Sequence, residues 1–232
     1  MKTILQISSS LFLAGLVLVG CTDSPESDEA VILDAKDAAT ASGDNWNVNA
    51  DQSKLEWVAT KVSGYHVGSV PVKSGQLVVN SGQLVGGNFV IDMKNIAVTG
   101  PEGSDPASNK KLLGHLQSPD FFEVETHPEA KFEVTGVEAF SGTVSDTTDP
   151  RQEEINEFKV ANPTHTISGN LTIKGVSKNI QFPAKVTVTE TTADAVAKFN
   201  IDRQQWNIAY PGKPDDLIRD QIHMGINIKA SK

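Results

Sequence analysis

What the 232-residue sequence lacks narrows it first. It has one cysteine, Cys21, so no intrachain disulfide can form. It has no excess of basic residues: 20 Lys and Arg face 29 Asp and Glu, for a net charge of −9, which argues against a nucleic-acid-binding face. It has only one apolar run long enough to discuss, which excludes a polytopic membrane protein. Aromatics are few, at 6%, and the composition fits no collagen, coiled coil or disulfide scaffold. Catalytic signatures are missing as well. There is no G-x-S-x-G elbow, no H-E-x-x-H and no glycine-rich phosphate loop. His66, His115, His127, His165 and His223 form no i, i+2 or i, i+4 pair, so no metal site is signalled. These absences point away from an enzyme. What is present is enough length for one large or two small domains, burying roughly 70% of the unfolded surface.

The N-terminus reads as an address. Residues 1–20 place Lys2 ahead of an apolar core from Leu11 to Val19, the shape of a secretory signal and too short for a transmembrane span of about 20 residues. The run ends Leu18-Val19-Gly20-Cys21, which resembles the bacterial lipobox. That resemblance implies a diacylglyceryl cysteine at Cys21, usually N-acylated as well, and more than one acyl chain makes an anchor effectively permanent. Thr22, rather than aspartate, follows the cysteine. The expected location is the cell envelope, on the outer membrane facing the periplasm or the cell surface rather than on the inner membrane.

Residues 21–45 read as the lipidated cysteine and an acidic flexible linker. From Thr22 to Asn45 the segment carries seven acids and one base, net −6, leaving −4 on the chain from Trp46 onward. Such a composition buries too little apolar surface to fold by itself. As a free coil, 24 residues span on the order of 27 Å.

From Lys54 onward the apolar pattern has period two. Ile180, Phe182, Val186 and Val188 share one parity, as do Ala195, Ala197, Phe199 and Ile201, and Ile222, Met224, Ile226 and Ile228. Phe89, Ile91 and Met93 share a face. Asn80-Ser81-Gly82, Gly86-Gly87, Lys174-Gly175 and Thr191-Thr192 mark turns between runs. The string SGQLV, at Ser74–Val78 and Ser81–Val85, reads as two sides of a hairpin. Eight strands are expected, at about 54–62, 70–79, 83–95, 130–140, 164–174, 178–190, 194–209 and 220–230. Helices are expected at about 107–117, where Leu112, Leu113 and Leu116 form a stripe, and at about 214–219, capped by Asp215-Asp216. The acidic insert Ser141–Asn162 reads as a loop, with room for a short helix around Arg151–Phe158. The fold class is all-β: an eight-stranded antiparallel barrel with one or two short helices, a two-sheet sandwich being the alternative.

Several strings then converge. They are Gly114-His115-Leu116-Gln117-Ser118-Pro119-Asp120-Phe121-Phe122, Pro128-Glu129-Ala130-Lys131-Phe132, Ile167-Ser168-Gly169-Asn170-Leu171-Thr172-Ile173-Lys174-Gly175, Ile180-Gln181-Phe182, and Phe199-Asn200-Ile201-Asp202-Arg203-Gln204-Gln205-Trp206. Together these resemble the YceI-like family, the lipocalin-like polyisoprenoid-binding proteins of bacteria. Leu55-Glu56-Trp57, His66-Val67-Gly68 and Val90-Ile91-Asp92-Met93 look like its lipoprotein subgroup. The likeness covers about 50–232, so the domain is set at 46–232. It departs from the family in the length of the 141–162 insert. The resemblance implies a lipocalin-like barrel whose tunnel holds an isoprenoid chain.

A tunnel for such a tail needs apolar side chains at alternate strand positions. The candidates are Phe89, Ile91, Phe132, Val134, Leu171, Ile173, Phe199, Ile201, Ile226 and Ile228, with Trp206 on the same wall and Phe121 and Phe122 closing one end. Each also fits an ordinary core. His66 suits a hydrogen bond to a quinone carbonyl. Arg203 suits either a headgroup or, as the favoured reading, an ion pair, and in a strand it would face away from Trp206. A buried methylene gains about 0.8 kcal/mol over water, but a bilayer is equally apolar, so tail transfer is nearly neutral and headgroup and tunnel length must discriminate. The expected function is binding of an isoprenoid lipid or quinone by a membrane-anchored lipoprotein, for sequestration or transport, with no cofactor and no metal. The competing expectation is a barrel packed by its own side chains, binding other envelope proteins through loops 99–110 and 141–162.

Overall fold

The computed structural model describes residues 22–38, 40–142 and 157–232. Residues 1–20, expected to be a signal segment, Cys21 and residues 143–156 of the insert, with most of its expected helix, lie outside the described residues. In chain order the strands are β1 (Val31–Asp34), β2 (Asp44–Val48), β3 (Lys54–Lys61), β4 (Gly64–Val70), β5 (Val72–Asn80), β6 (Gln83–Asp92) and β7 (Ala97–Gly100). The helix α1 (Pro106–Gln117) follows, then β8 (Glu129–Ala139), β9 (His165–Ile173), β10 (Val176–Val188), β11 (Thr192–Asp202), β12 (Gly212–Lys213) and β13 (Asp216–Ser231).

The period-two runs pair in register into a closed antiparallel barrel of eight staves. β2 and β3 form the first stave, β4 and β5 the second, and β6 and β7 the third. Pro71 divides the second, because it has no N–H to donate to a ladder. β8, β9, β10, β11 and β13 complete the wall, and β13 closes it against β2 and β3. The SGQLV repeat is the β5–β6 hairpin, with Asn80 opposite Gln83. Its turn residues Ser81 and Gly82 both take positive φ, the backbone that a two-residue hairpin requires.

Some boundaries differ from expectation. β4 and β7 were not foreseen, since no strand is expected over 64–69 or 97–100, and the 3₁₀ turn Met93–Asn95 ends the third expected strand early. The strand expected to run to 209 stops at Asp202, whose carboxylate accepts from the Gln204 N–H at 2.9 Å and caps a 3₁₀ turn over Arg203–Trp206. No helix forms at 214–219. Gly212 and Lys213 turn back on Leu217 and Asp216, and Ile218 pairs with Lys61. Asp216 therefore caps nothing. It holds Lys61 and accepts from the Ser63 N–H at 2.9 Å. The helix that does form, α1, starts where the sequence signals it. Asp105 accepts from the N–H groups of Ala107 and Ser108, and Pro106 fills the first turn.

The acidic segment also departs from expectation. Residues 22–38 are not a free coil but a strap along the outside of the barrel. β11 diverges from β10 beyond Ala197–Ala184, since its next residues pair only with β13, and the edge of β10 is left open. β1 fills this edge, antiparallel to Lys178–Gln181. The strap also exchanges backbone bonds with Asn200, at 2.9 Å from Ala30 and 2.8 Å to Asp28. Outward-facing amides hold it further. Asn200 donates to Pro25 O at 2.9 Å, and Asn170 both accepts from the Lys36 N–H at 3.1 Å and donates to its carbonyl at 2.6 Å. Unpaired strand edge and buried amides together outweigh a composition that averages as disordered.

Candidate functional site, an apolar tunnel open at one end

Alternation along the staves turns one parity inward. The inner parity does not fill the barrel. It lines a cavity of about 630 Å³. Along β13 the lining runs from Ile218 to Ile228. That is about 33 Å of strand at about 3.3 Å per residue, or about 25 Å along the axis at a tilt near 40°. At one end Trp46, Val79, Ala193 and Ala230 are buried beyond the lining and close the barrel. At the other end the lining continues through Lys111 and His115 of α1, Tyr210 of the connection before β12, and the strand-end residues Lys61, Lys213 and Asp216. The barrel packed by its own side chains is thus not what the chain forms.

Every expected tail-contact residue lines this cavity: Phe89, Ile91, Phe121, Phe122, Phe132, Val134, Leu171, Ile173, Phe199, Ile201, Trp206, Ile226 and Ile228. So do His66 and Arg203. An aromatic row crosses the interior, with Phe89 and Phe132 ring centroids 5.2 Å apart, Phe132 and Phe182 5.8 Å, and Phe182 stacked on Phe199 at 4.2 Å. Gly169 makes the row possible, because a Cβ there would fall on the Phe132 ring. Gly68 does the same for the Trp57 indole.

Arg203 and Trp206 do not face opposite ways. In a 3₁₀ turn residues three apart align, and both side chains are buried, at 4% and 0% exposed. Trp206 Nε1 donates to Leu171 O at 2.9 Å. The Arg203 guanidinium donates to the Ile208 carbonyl, to Arg219 O at 3.2 Å and to Asp220 at 2.9 Å. Its donors are committed to structure, in line with the ion pair favoured from sequence, though the partner is Asp220.

The polar side chains gather at the open end. Asp216, beside Lys61 and the Ser63 N–H, is held down to a pKa of about 2. His66 is half-buried, and burial, then the Lys61 charge, lower its pKa, which favours the neutral imidazole. His66 Nδ1 and Trp57 Nε1 find no partner among the described residues although both atoms are buried. His115 stands edge-on to Phe121 and Tyr210, at 4.9 and 4.7 Å, and ties to Asp120 at 3.0 Å. Sequence reasoning missed Trp57, Lys61, Lys111, Tyr210 and Lys213. Trp57 was within reach, since Leu55, Trp57 and Ala59 share a parity. The others lie at the end of β3, on α1 and in or beside the two-residue β12, where strand alternation gives no signal. No cluster able to hold a metal occurs among the described residues.

This geometry has relatives. The chain covers 99% of the crystal structure of BcnA from Burkholderia cenocepacia with 79% of its own length, at 18% identity and a TM-score of 0.56. It covers 97% of a polyisoprenoid binding domain from Saccharophagus degradans, implicated in plant cell wall breakdown, with 80% of its own length, at 16% identity and a TM-score of 0.55. No curated protein matches the chain. The model of the YceI-like domain matches residues 46–230, the whole barrel from the first buried tryptophan to the last strand, and the chain belongs to that family.

Proposed function

We propose that this protein is an acyl-anchored envelope lipoprotein that binds the tail of an isoprenoid lipid or isoprenoid quinone in its barrel, for sequestration or transport. The observation that carries the reading is the tunnel: about 630 Å³, apolar through its depth, closed at one end and ringed by polar groups at the other. A ligand with a long apolar tail and one polar end matches it. The polyisoprenoid-binding relative supports the same ligand class. The tail lies against Phe89, Ile91, Phe132, Val134, Leu171, Ile173, Phe199, Ile201 and Ile226. Phe121 and Phe122 flank it near α1. The polar end meets His66, whose neutral ring and partnerless Nδ1 suit a carbonyl or hydroxyl. The anchor is Cys21, behind its lipobox-like Leu18-Val19-Gly20. Acylation there raises the local concentration of membrane lipid at the tunnel. Solvent extraction of the purified full chain followed by mass spectrometry is the test, with titration of the delipidated chain by a long-chain isoprenoid quinone. A co-purified isoprenoid and saturable binding are expected. An empty barrel that also fails to bind the quinone refutes the reading.

A further inference from the structure

We propose that the open end of the barrel is a membrane-docking surface, resting on the bilayer so that the tunnel opens toward lipid; this builds on the reading of Cys21 as the anchored residue. Three observations meet at one turn. The first is where the strap begins. The Thr22 N–H donates to Val62 O at 3.4 Å, Arg219 Nε donates to Thr22 O at 3.1 Å, and Arg219 pairs with Asp23 at 2.9 Å. Ser24 then binds Gln221 O at 2.6 Å. The chain is thus pinned to the β3–β4 turn from its first described residue, and Cys21 lies one peptide link away, about 3.8 Å between Cα atoms. An anchor there holds the barrel flush with the membrane, not at the end of a tether.

The second observation is that this turn belongs to the tunnel mouth. Lys61 lines the cavity, as do its strand partner Ile218 and its ion-pair partner Asp216. The third is the rim surface. Tyr65 and Leu217 are large, apolar and 46% and 47% exposed, and both flank the turn: Tyr65 sits opposite Thr60, and Leu217 O accepts from the Val62 N–H at 3.1 Å. A tyrosine and a leucine beside Lys213 are the residue types that settle at a membrane interface, apolar parts inward and the amine at the headgroups. A tail passing through a mouth in that position leaves the bilayer without crossing water.

Val31 and Leu33 on β1, the other two large exposed apolar residues among the described residues, lie on the barrel wall and provide the contrast. The full chain is purified from membranes, its mass at Cys21 is measured, and it is reconstituted into phosphatidylethanolamine–phosphatidylglycerol vesicles. Hydroxyl-radical footprinting then reads side-chain exposure against the C21S chain free in solution. Oxidation of Tyr65 and Leu217 should fall several-fold on vesicles while Val31 and Leu33 stay reactive. Protection of Val31 and Leu33 instead, or of neither pair, overturns the proposal. If the mass shows no acyl group, the anchor reading fails by itself. The Cys21 thiol, the only one in the chain, is then coupled to maleimide-phosphatidylethanolamine in the same vesicles, and the same two pairs decide the docking surface.

Discussion

Asn170 is the place to test whether the acidic N-terminal segment is part of the fold. Its side chain accepts from the Lys36 N–H at 3.1 Å, donates to Lys36 O at 2.6 Å and accepts from Asn179 Nδ2 at 3.1 Å. Asn170→Ala removes all three. The Lys36 groups are exposed and regain water, and Asn179 keeps its bond to Thr135 at 2.9 Å. The cost is therefore that of the bonds alone, about 2–3 kcal/mol at roughly 1 kcal/mol each. The two Lys36 bonds, about 2 kcal/mol of the loss, belong to the docking of the strap, and the bond from Asn179, which joins β10 to β9, belongs to the barrel wall. Hydrogen exchange should rise by about 30-fold or more at Val31–Asp34, since each 1.4 kcal/mol is a factor of ten. Amides of the β5–β6 hairpin should exchange unchanged, as should the urea m-value of the barrel. If residues 31–36 already exchange at the rate of a free coil in the wild type, the strap is not a structural element and the reasoning fails.

Other expectations follow from single sites. His223 lies under the strap, hydrogen-bonded to Asn200 at 3.0 Å and edge-on to Phe158, and burial, with the Lys198 charge, lowers its pKa to about 4. The unfolded chain thus takes up this proton first, so stability should be full above about pH 6.5 and fall toward pH 4 by on the order of 2–3 kcal/mol, a slope that H223Q removes in urea titrations at stepped pH. Ala197, opposite Ala184 on the tunnel wall, leaves space beside the Phe182–Phe199 stack. A197F should displace about three methylenes of a long tail, roughly 2.4 kcal/mol or 50-fold in affinity, and leave a short-chain quinone unaffected in the same titration. Arg203→Leu strands the Ile208 and Arg219 carbonyls, while the half-exposed Asp220 carboxylate regains water, and should lower stability by about 2–3 kcal/mol in urea denaturation.

The barrel was legible in the sequence because period two is a local signal. Ile180, Phe182, Ala184 and Val186 face inward wherever their partners lie, and turn pairs such as Lys174-Gly175, with φ of 49° and 74°, mark where strands reverse. The same alternation picked out the tunnel wall, although it could not distinguish a wall from a filled core. That depends on Gly169 and Gly68, which leave room for the Phe132 and Trp57 rings, and on alanines at 184, 195 and 197. The readings at 203–209 and 214–219 erred in opposite directions, a strand expected where a 3₁₀ turn forms and a helix expected where a strand begins. Asp-rich turns resemble helix starts, and only the pairing of Ile218 with Lys61 shows a strand there.

The acidic segment marks the sharpest division. By itself the sequence determined an eight-stranded pattern and an inward apolar face, since each rests on composition or on neighbours within a few residues. Only the tertiary structure decided that the interior stays open, that its mouth lies beside Thr22, and that residues 22–38 are strap rather than tether. The docking surface for that strap is the unpaired edge of β10 with the outward amides of Asn170 and Asn200. No such edge exists until β10 and β11 have diverged, so nothing local in the chain announces it.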